Sequence, residues 1–253
     1  MFFILSGYVI SYVSEEKERD FISFISKRIS RFYSVVVPVV FILVFMYYVT
    51  SAISPEIYQE HGKGSMDHGA VKLFGSLSFL SYNAFFIANL PAADPFWSLV
   101  CEWWYYVVYA LAVYCNQRLV SMLLIGFIVA VSSPIVLFLF PVWFLGVVVR
   151  KLYIRQFSDK RPAVSLCLCM ASVVGMLLLW KSGLRYSLMN TEVLFGKSYS
   201  VATYFPYYWV FGCLVSVHLY SVMVLLDSWD RRVDWSGRVG CWFSHATKKV
   251  AGA

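Results

Sequence analysis

Six apolar runs, at residues 34 to 50, 97 to 115, 119 to 132, 135 to 149, 163 to 180 and 204 to 226, constrain this chain more than any motif does. Several approach the ~20 residues an α-helix needs to cross ~30 Å of hydrocarbon, where backbone polar groups must be satisfied internally. With 60% of its 253 residues apolar and 14% charged, the chain reads as an integral membrane protein. The expected fold is all-α, a polytopic transmembrane bundle of about seven spans in a single domain over residues 1–253. The runs flanking Ser132-Ser133-Pro134 are short. They are expected to form two abbreviated helices joined tightly at the outer surface, a single helix kinked at Pro134 being the alternative.

Lys and Arg accumulate in loops that stay in the cytoplasm, so their placement orients the bundle. Sixteen of the 21 fall in residues 14–33, at Arg118, in residues 150–161 and in the tail, against Lys63, Lys72, Lys181, Arg185 and Lys197 on the other side. The net charge of +7 is therefore a topology signal and a contact to anionic lipid, not a sign of nucleic-acid binding. This orientation asks residues 1–13 to run from outside to inside in too few residues for a comfortable span. The opening helix is accordingly expected to be completed by residues outside this chain. The six cysteines form no CxxC pair and fall mostly within or at the ends of apolar runs, a pattern of buried thiols with no metal site.

One carboxylate interrupts the second run. In Trp97-Ser98-Leu99-Val100-Cys101-Glu102-Trp103-Trp104-Tyr105-Tyr106, Glu102 lies well inside an aromatic helix, and intramembrane carboxylates face a bundle interior or a wet cavity. Helical spacing sets Ser98, Tyr105, Tyr106 and Tyr109 along its face. Glu102 is thus either a functional group or a structural acid bonded to a neighbouring hydroxyl.

Ahead of the first run, residues 21–33 are amphipathic, with Phe21, Phe24, Ile25 and Phe32 suited to the interface and Lys27, Arg28 and Arg31 to water or headgroups. They serve either as a positive-inside stop signal or as a phosphate-binding pair, Arg28 and Arg31, suited to a nucleotide-bearing acyl carrier. The outer loop containing His61, Asp67 and His68 reads as solvated, and His218 as an interhelical hydrogen-bonding group. Residues 74–90, with Asn83 and Asn89, are apolar enough to re-enter the membrane partway and line an acceptor cleft.

Three segments together resemble the bacterial acyltransferase 3 family of multi-span enzymes that O-acylate extracytoplasmic glycans. Phe2-Phe3-Ile4-Leu5-Ser6-Gly7-Tyr8 is similar to its FF-V-L-S-G-F signature, Lys27-Arg28-Ile29-Ser30-Arg31-Phe32-Tyr33 to its RRxxRIYP element, and Trp97-Ser98-Leu99-Val100-Cys101-Glu102 to its WSLSVE element. Phe140-Pro141-Val142-Trp143-Phe144-Leu145-Gly146 adds a weaker similarity to an F-x-x-F-x-x-G helix. The resemblance implies transfer of an acyl group, most often acetyl, from cytoplasmic acyl-CoA to a glycan hydroxyl outside the bacterial plasma membrane. Its partners are then the lipid bilayer and the glycan, with no metal required.

On this sequence the resemblance implies a catalytic set of Glu102, Ser98 and Trp97, with Glu102 orienting or assisting the base and the other two lining the pocket. It implies carrier binding at Arg28, Arg31, Ser6 and Gly7. The family's Arg and His, on a helix before FFxLSG, have no counterpart here, and Ser34 stands where the family has proline. Phe243-Ser244-His245-Ala246-Thr247 resembles the start of a last helix that does not follow. The domain is therefore expected to be incomplete at both ends, and the chain by itself to show little transfer. The competing class is a non-catalytic polytopic protein, a lipid-linked sugar transporter or an inactive acyltransferase-like subunit; a transporter would favour inverted repeats with paired broken helices, which the sequence does not show.

Overall fold

A computed structural model describes residues 1–18, 20–54, 66, 68–81, 90, 96–155, 162–183 and 205–230. These form eight helices: α1 Phe2–Glu16, α2 Phe21–Ile53, α3 Gly69–Leu77, α4 Phe96–Tyr114, α5 Arg118–Val131, α6 Pro134–Arg155, α7 Pro162–Lys181 and α8 Phe205–Asp230. No strand occurs among the described residues. By length and composition α2, α4, α6, α7 and α8 suffice to cross a membrane. α5 is apolar but shorter, and with the 15-residue α1 the described helices approach the expected seven spans.

The break before Pro134 separates two helices, α5 and α6. Ser132 ends α5, and the Ser133 carbonyl accepts from Val136 N at 3.0 Å to begin α6. Only α5, at 14 residues, is short. α6 runs on past the apolar run to Arg155 for 22 residues, because Arg150 finds carboxylate partners there: its Nη2 lies 3.4 Å from Glu16 and its Nε 3.7 Å from Glu15.

α2 departs further from the sequence expectation. Residues 21–33 do not form a separate interfacial segment; they are the first turns of one continuous 33-residue helix, capped where Asp20 accepts from Ser23 N at 2.8 Å. Its buried stripe is Phe24, Arg28, Phe32, Val36 and Val40, an i, i+4 row that packs on α4. Phe24 meets Tyr109 and Tyr114, while Phe32 meets Trp103 and Tyr106 edge-on. Arg28 is thus drawn into the bundle and not presented to water.

α1, α4 and α6 form the centre. Trp143 of α6 is fully buried and packs against Tyr105, Tyr106 and Tyr109 of α4. α1 lies against α6 so closely that a Cβ on Gly7 would overlap the Trp143 carbonyl oxygen, and one on Gly146 the Ile4 carbonyl oxygen. Small residues let helix backbones approach in this way. α8 packs on α6 and α7 beyond it. The C-terminal ends of α1, α4 and α6 and the start of α2 share one end of the bundle, joined by the Tyr114 hydroxyl donating to the Glu18 carbonyl at 2.6 Å and by the Arg150 pairs.

The described part of the segment expected to re-enter the membrane is inserted among the helices. Phe79 is buried, stacks on Trp103 and meets Phe32. Its carbonyl accepts from Trp104 Nε1 at 3.1 Å, and the Leu77 carbonyl from the Tyr33 hydroxyl at 2.6 Å. Phe79 adopts φ 58°, a left-handed position that usually takes glycine after a helix, so its packing must offset the strain. Asn83 and Asn89 lie outside the described residues, as do His61, Asp67 and the tail with His245.

Candidate functional site

Glu102 sits on α4 one turn before Tyr106, and α1 crosses α4 so that Ser6 meets both. The Ser6 hydroxyl donates to Glu102 Oε1 at 2.6 Å, and the Tyr106 hydroxyl donates to the same oxygen. The two hydroxyl oxygens are 2.8 Å apart, and Trp143 Nε1 donates to Ser6 Oγ at 3.3 Å. One carboxylate oxygen is thus fixed by two donors that are themselves held by packing. Glu102 Oε2 takes no hydrogen bond among the described residues, although the residue is only 6% exposed.

That carboxylate lines a cavity of about 150 Å³ together with Ser6, Tyr106, Phe2, Leu5, Val9 and Arg31. The guanidinium of Arg31 makes no ion pair or hydrogen bond among the described residues. The cavity therefore offers a carboxylate oxygen with spare acceptor capacity and a cation with five spare donors. Such a pair can take a proton from one group and stabilise negative charge on another.

The other residues of the expected seam diverge. Tyr105 turns toward α6 and donates to the Val136 carbonyl at 2.8 Å. Tyr109 lies further along, 2.8 Å from Ser14 Oγ, and because Ser14 donates to the Ser11 carbonyl, Tyr109 supplies the proton between them. Trp97 and Ser98 are not beside Glu102 but line a second cavity, about 340 Å³, with Phe3, Leu139, Tyr208 and Phe211. Phe2 borders both cavities.

Arg28 and Arg31, three residues apart, have opposite environments. Arg28 Nη2 donates to Glu18 Oε2 at 2.9 Å with both side chains buried, and Lys27 Nζ stands 3.4 Å from Glu18 Oε1. The Arg28 guanidinium also lies 5.1 Å from the centre of the Phe24 ring and 6.0 Å from that of Tyr106. Its charge is already matched, whereas that of Arg31 is not. Gly7, expected among the carrier-binding residues, serves the backbone crossing with α6. His218 joins α8 to α7 through Ser172 Oγ at 3.1 Å and approaches Cys169 at 3.7 Å.

Sequence reasoning missed Trp143 as a donor and Glu18 as the partner of Arg28. Trp143 carried a signal in its aromatic helix. Glu18, in a run of surface-type charges, carried none. Comparison with protein families matches the model described as an acyltransferase domain, of the acyltransferase 3 family, to residues 1–243. Comparisons with curated proteins and with solved structures give no match.

Proposed function

Because this chain belongs to the acyltransferase 3 family, we propose that it is a membrane-embedded O-acyltransferase moving an acyl group, acetyl first, from cytoplasmic acyl-CoA to a hydroxyl of an extracytoplasmic glycan. The observation that carries this reading is the buried Glu102 carboxylate, held at Oε1 by Ser6 and Tyr106 and open at Oε2 beside the cation Arg31. O-acylation needs an acceptor for the hydroxyl proton and a donor for the charge that develops on the acyl carbonyl. Glu102 is the resident group suited to take that proton, directly or by orienting a base. Ser6, Tyr106 and Trp143 fix its position, which favours a reactive geometry.

The carrier approaches from the end where Glu18, Lys27 and Arg150 gather, the basic and by this reading cytoplasmic end. Arg28 reaches a phosphate there only by exchanging its contact with Glu18. The aromatic cavity around Trp97 and Ser98 lies toward the opposite end, where the acceptor would arrive.

Sealed membrane vesicles containing the protein test this function. With labelled acetyl-CoA supplied on the cytoplasmic face alone, label is expected to appear on glycan at the other face and to be lost in Glu102→Gln. Glycan labelling that does not depend on the donor, or that persists unchanged in Glu102→Gln, would overturn the reading.

A further inference from the structure

We propose that Arg31 acts at the acyl thioester, donating to the oxyanion formed on its carbonyl, and not at the phosphates of the carrier. The proposal rests on the acyltransferase reading above and reassigns one residue within it. Arg31 and Glu102 line one small cavity of about 150 Å³ that opens to the surface past the exposed Phe2, Leu5 and Val9. The thioester sulfur of an acyl-CoA is separated from its pyrophosphate by about 13 bonds, roughly 15 Å when extended at about 3.5 Å per three bonds. Both ends of the carrier cannot occupy this cavity. If Glu102 serves the reacting hydroxyl, the group beside it is the thioester, and Arg31 faces that group.

Charge supports the same assignment. Arg28 is neutralised by Glu18, while Arg31 keeps its donors unused among the described residues. Arg31 is exposed beside the likewise exposed Phe2, Leu5 and Val9, so its N–H groups remain available to negative charge developing in the cavity. In the step itself the acceptor hydroxyl oxygen bonds to the carbonyl carbon, and the carbonyl π pair moves to oxygen, where the Arg31 N–H groups donate. The hydroxyl proton passes to the Glu102 carboxylate. Collapse then breaks the C–S bond, and the departing thiolate takes that proton from Glu102 to leave as the free thiol.

A donor lacking phosphates separates this role from phosphate binding. Turnover is measured with acetyl-CoA and with acetyl-pantetheine for the wild type and Arg31→Gln, each checked for an unchanged melting temperature. The substitution is expected to lower kcat by ~10²-fold or more with both donors and to change the KM for acetyl-CoA little. A loss confined to acetyl-CoA and expressed as a raised KM would overturn the assignment. The carbonyl stretch of bound ¹³C-labelled acetyl thioester gives a readout without turnover: it should shift to lower frequency in the wild type but not in Arg31→Gln, and no shift in the wild type sinks the proposal. A wild type that neither binds nor transfers from either acetyl donor overturns the acyltransferase reading, and this role with it.

Discussion

Gly7 and Gly146 face one another's helices where α1 crosses α6, each at a point where a methyl group would strike a backbone carbonyl of the other helix. The atoms in the way are main chain and cannot rotate aside. Gly7→Ala or Gly146→Ala is therefore expected to force the helices apart and cost about 1–3 kcal/mol, seen as a lower melting temperature in detergent. Because Ser6 rides on α1, the same shift should weaken its bond to Glu102. An alanine at either position with wild-type melting would show that the crossing is looser than described.

Glu18 and Arg28 make a second test. Removing one member of a buried ion pair strands the other and costs about 3–5 kcal/mol, whereas replacing both is often close to neutral. Arg28→Gln alone should lower the melting temperature substantially, and Glu18→Gln/Arg28→Gln should recover most of it. If the double variant is as unstable as the single one, the aromatic contacts of Arg28, and not its charge pairing, hold α2 on α4.

For Glu102, the hydrogen bonds separate catalysis from architecture. Glu102→Gln should lower turnover by ~10²-fold or more while keeping the fold, since an amide oxygen can still accept from Ser6 and Tyr106. Tyr106→Phe removes one of two donors to Oε1 and should cost less, ~10-fold. Parallel turnover and melting measurements decide the matter. Loss of both quantities together in Glu102→Gln would mark the residue as structural.

The basic end should face the cytoplasm. In a cysteine-free background, a single cysteine at Ser54 should react with an impermeant reagent in intact cells, and one at Arg155 only after the membrane is opened. The reverse pattern would invert the bundle and place the carrier and the glycan on opposite faces from those proposed.

The helical class and the buried position of Glu102 were readable because both depend on local pattern: apolar runs of spanning length, and a carboxylate out of place within one. Tyr106 as a neighbour followed from i, i+4 spacing. Ser6 was legible only as part of a motif, since its contact spans 96 residues. The environment of Arg28 was not legible. Amphipathicity put Arg28 and Arg31 toward water, and Arg31 is exposed at the edge of a cavity, but α2 chooses its buried stripe to fit the tyrosines of α4, which brings Arg28 inside with Phe24 and Phe32. Trp97 and Ser98 share a motif with Glu102, yet four to five residues of helix carry them roughly 6–8 Å along the axis, into the neighbouring cavity.

α5 buries only Ser121, which donates to the Leu111 carbonyl at 2.9 Å. Its 14 residues cover roughly 21 Å at 1.5 Å per residue, against ~30 Å of hydrocarbon. Fatty chains beside it must shorten or splay to match it, thinning the bilayer next to α4, the helix that carries Glu102. Lipid chain length thereby becomes a variable of the protein's environment: in thin bilayers α5 lies relaxed, and in thick ones the mismatch pulls on the joint at Ser121.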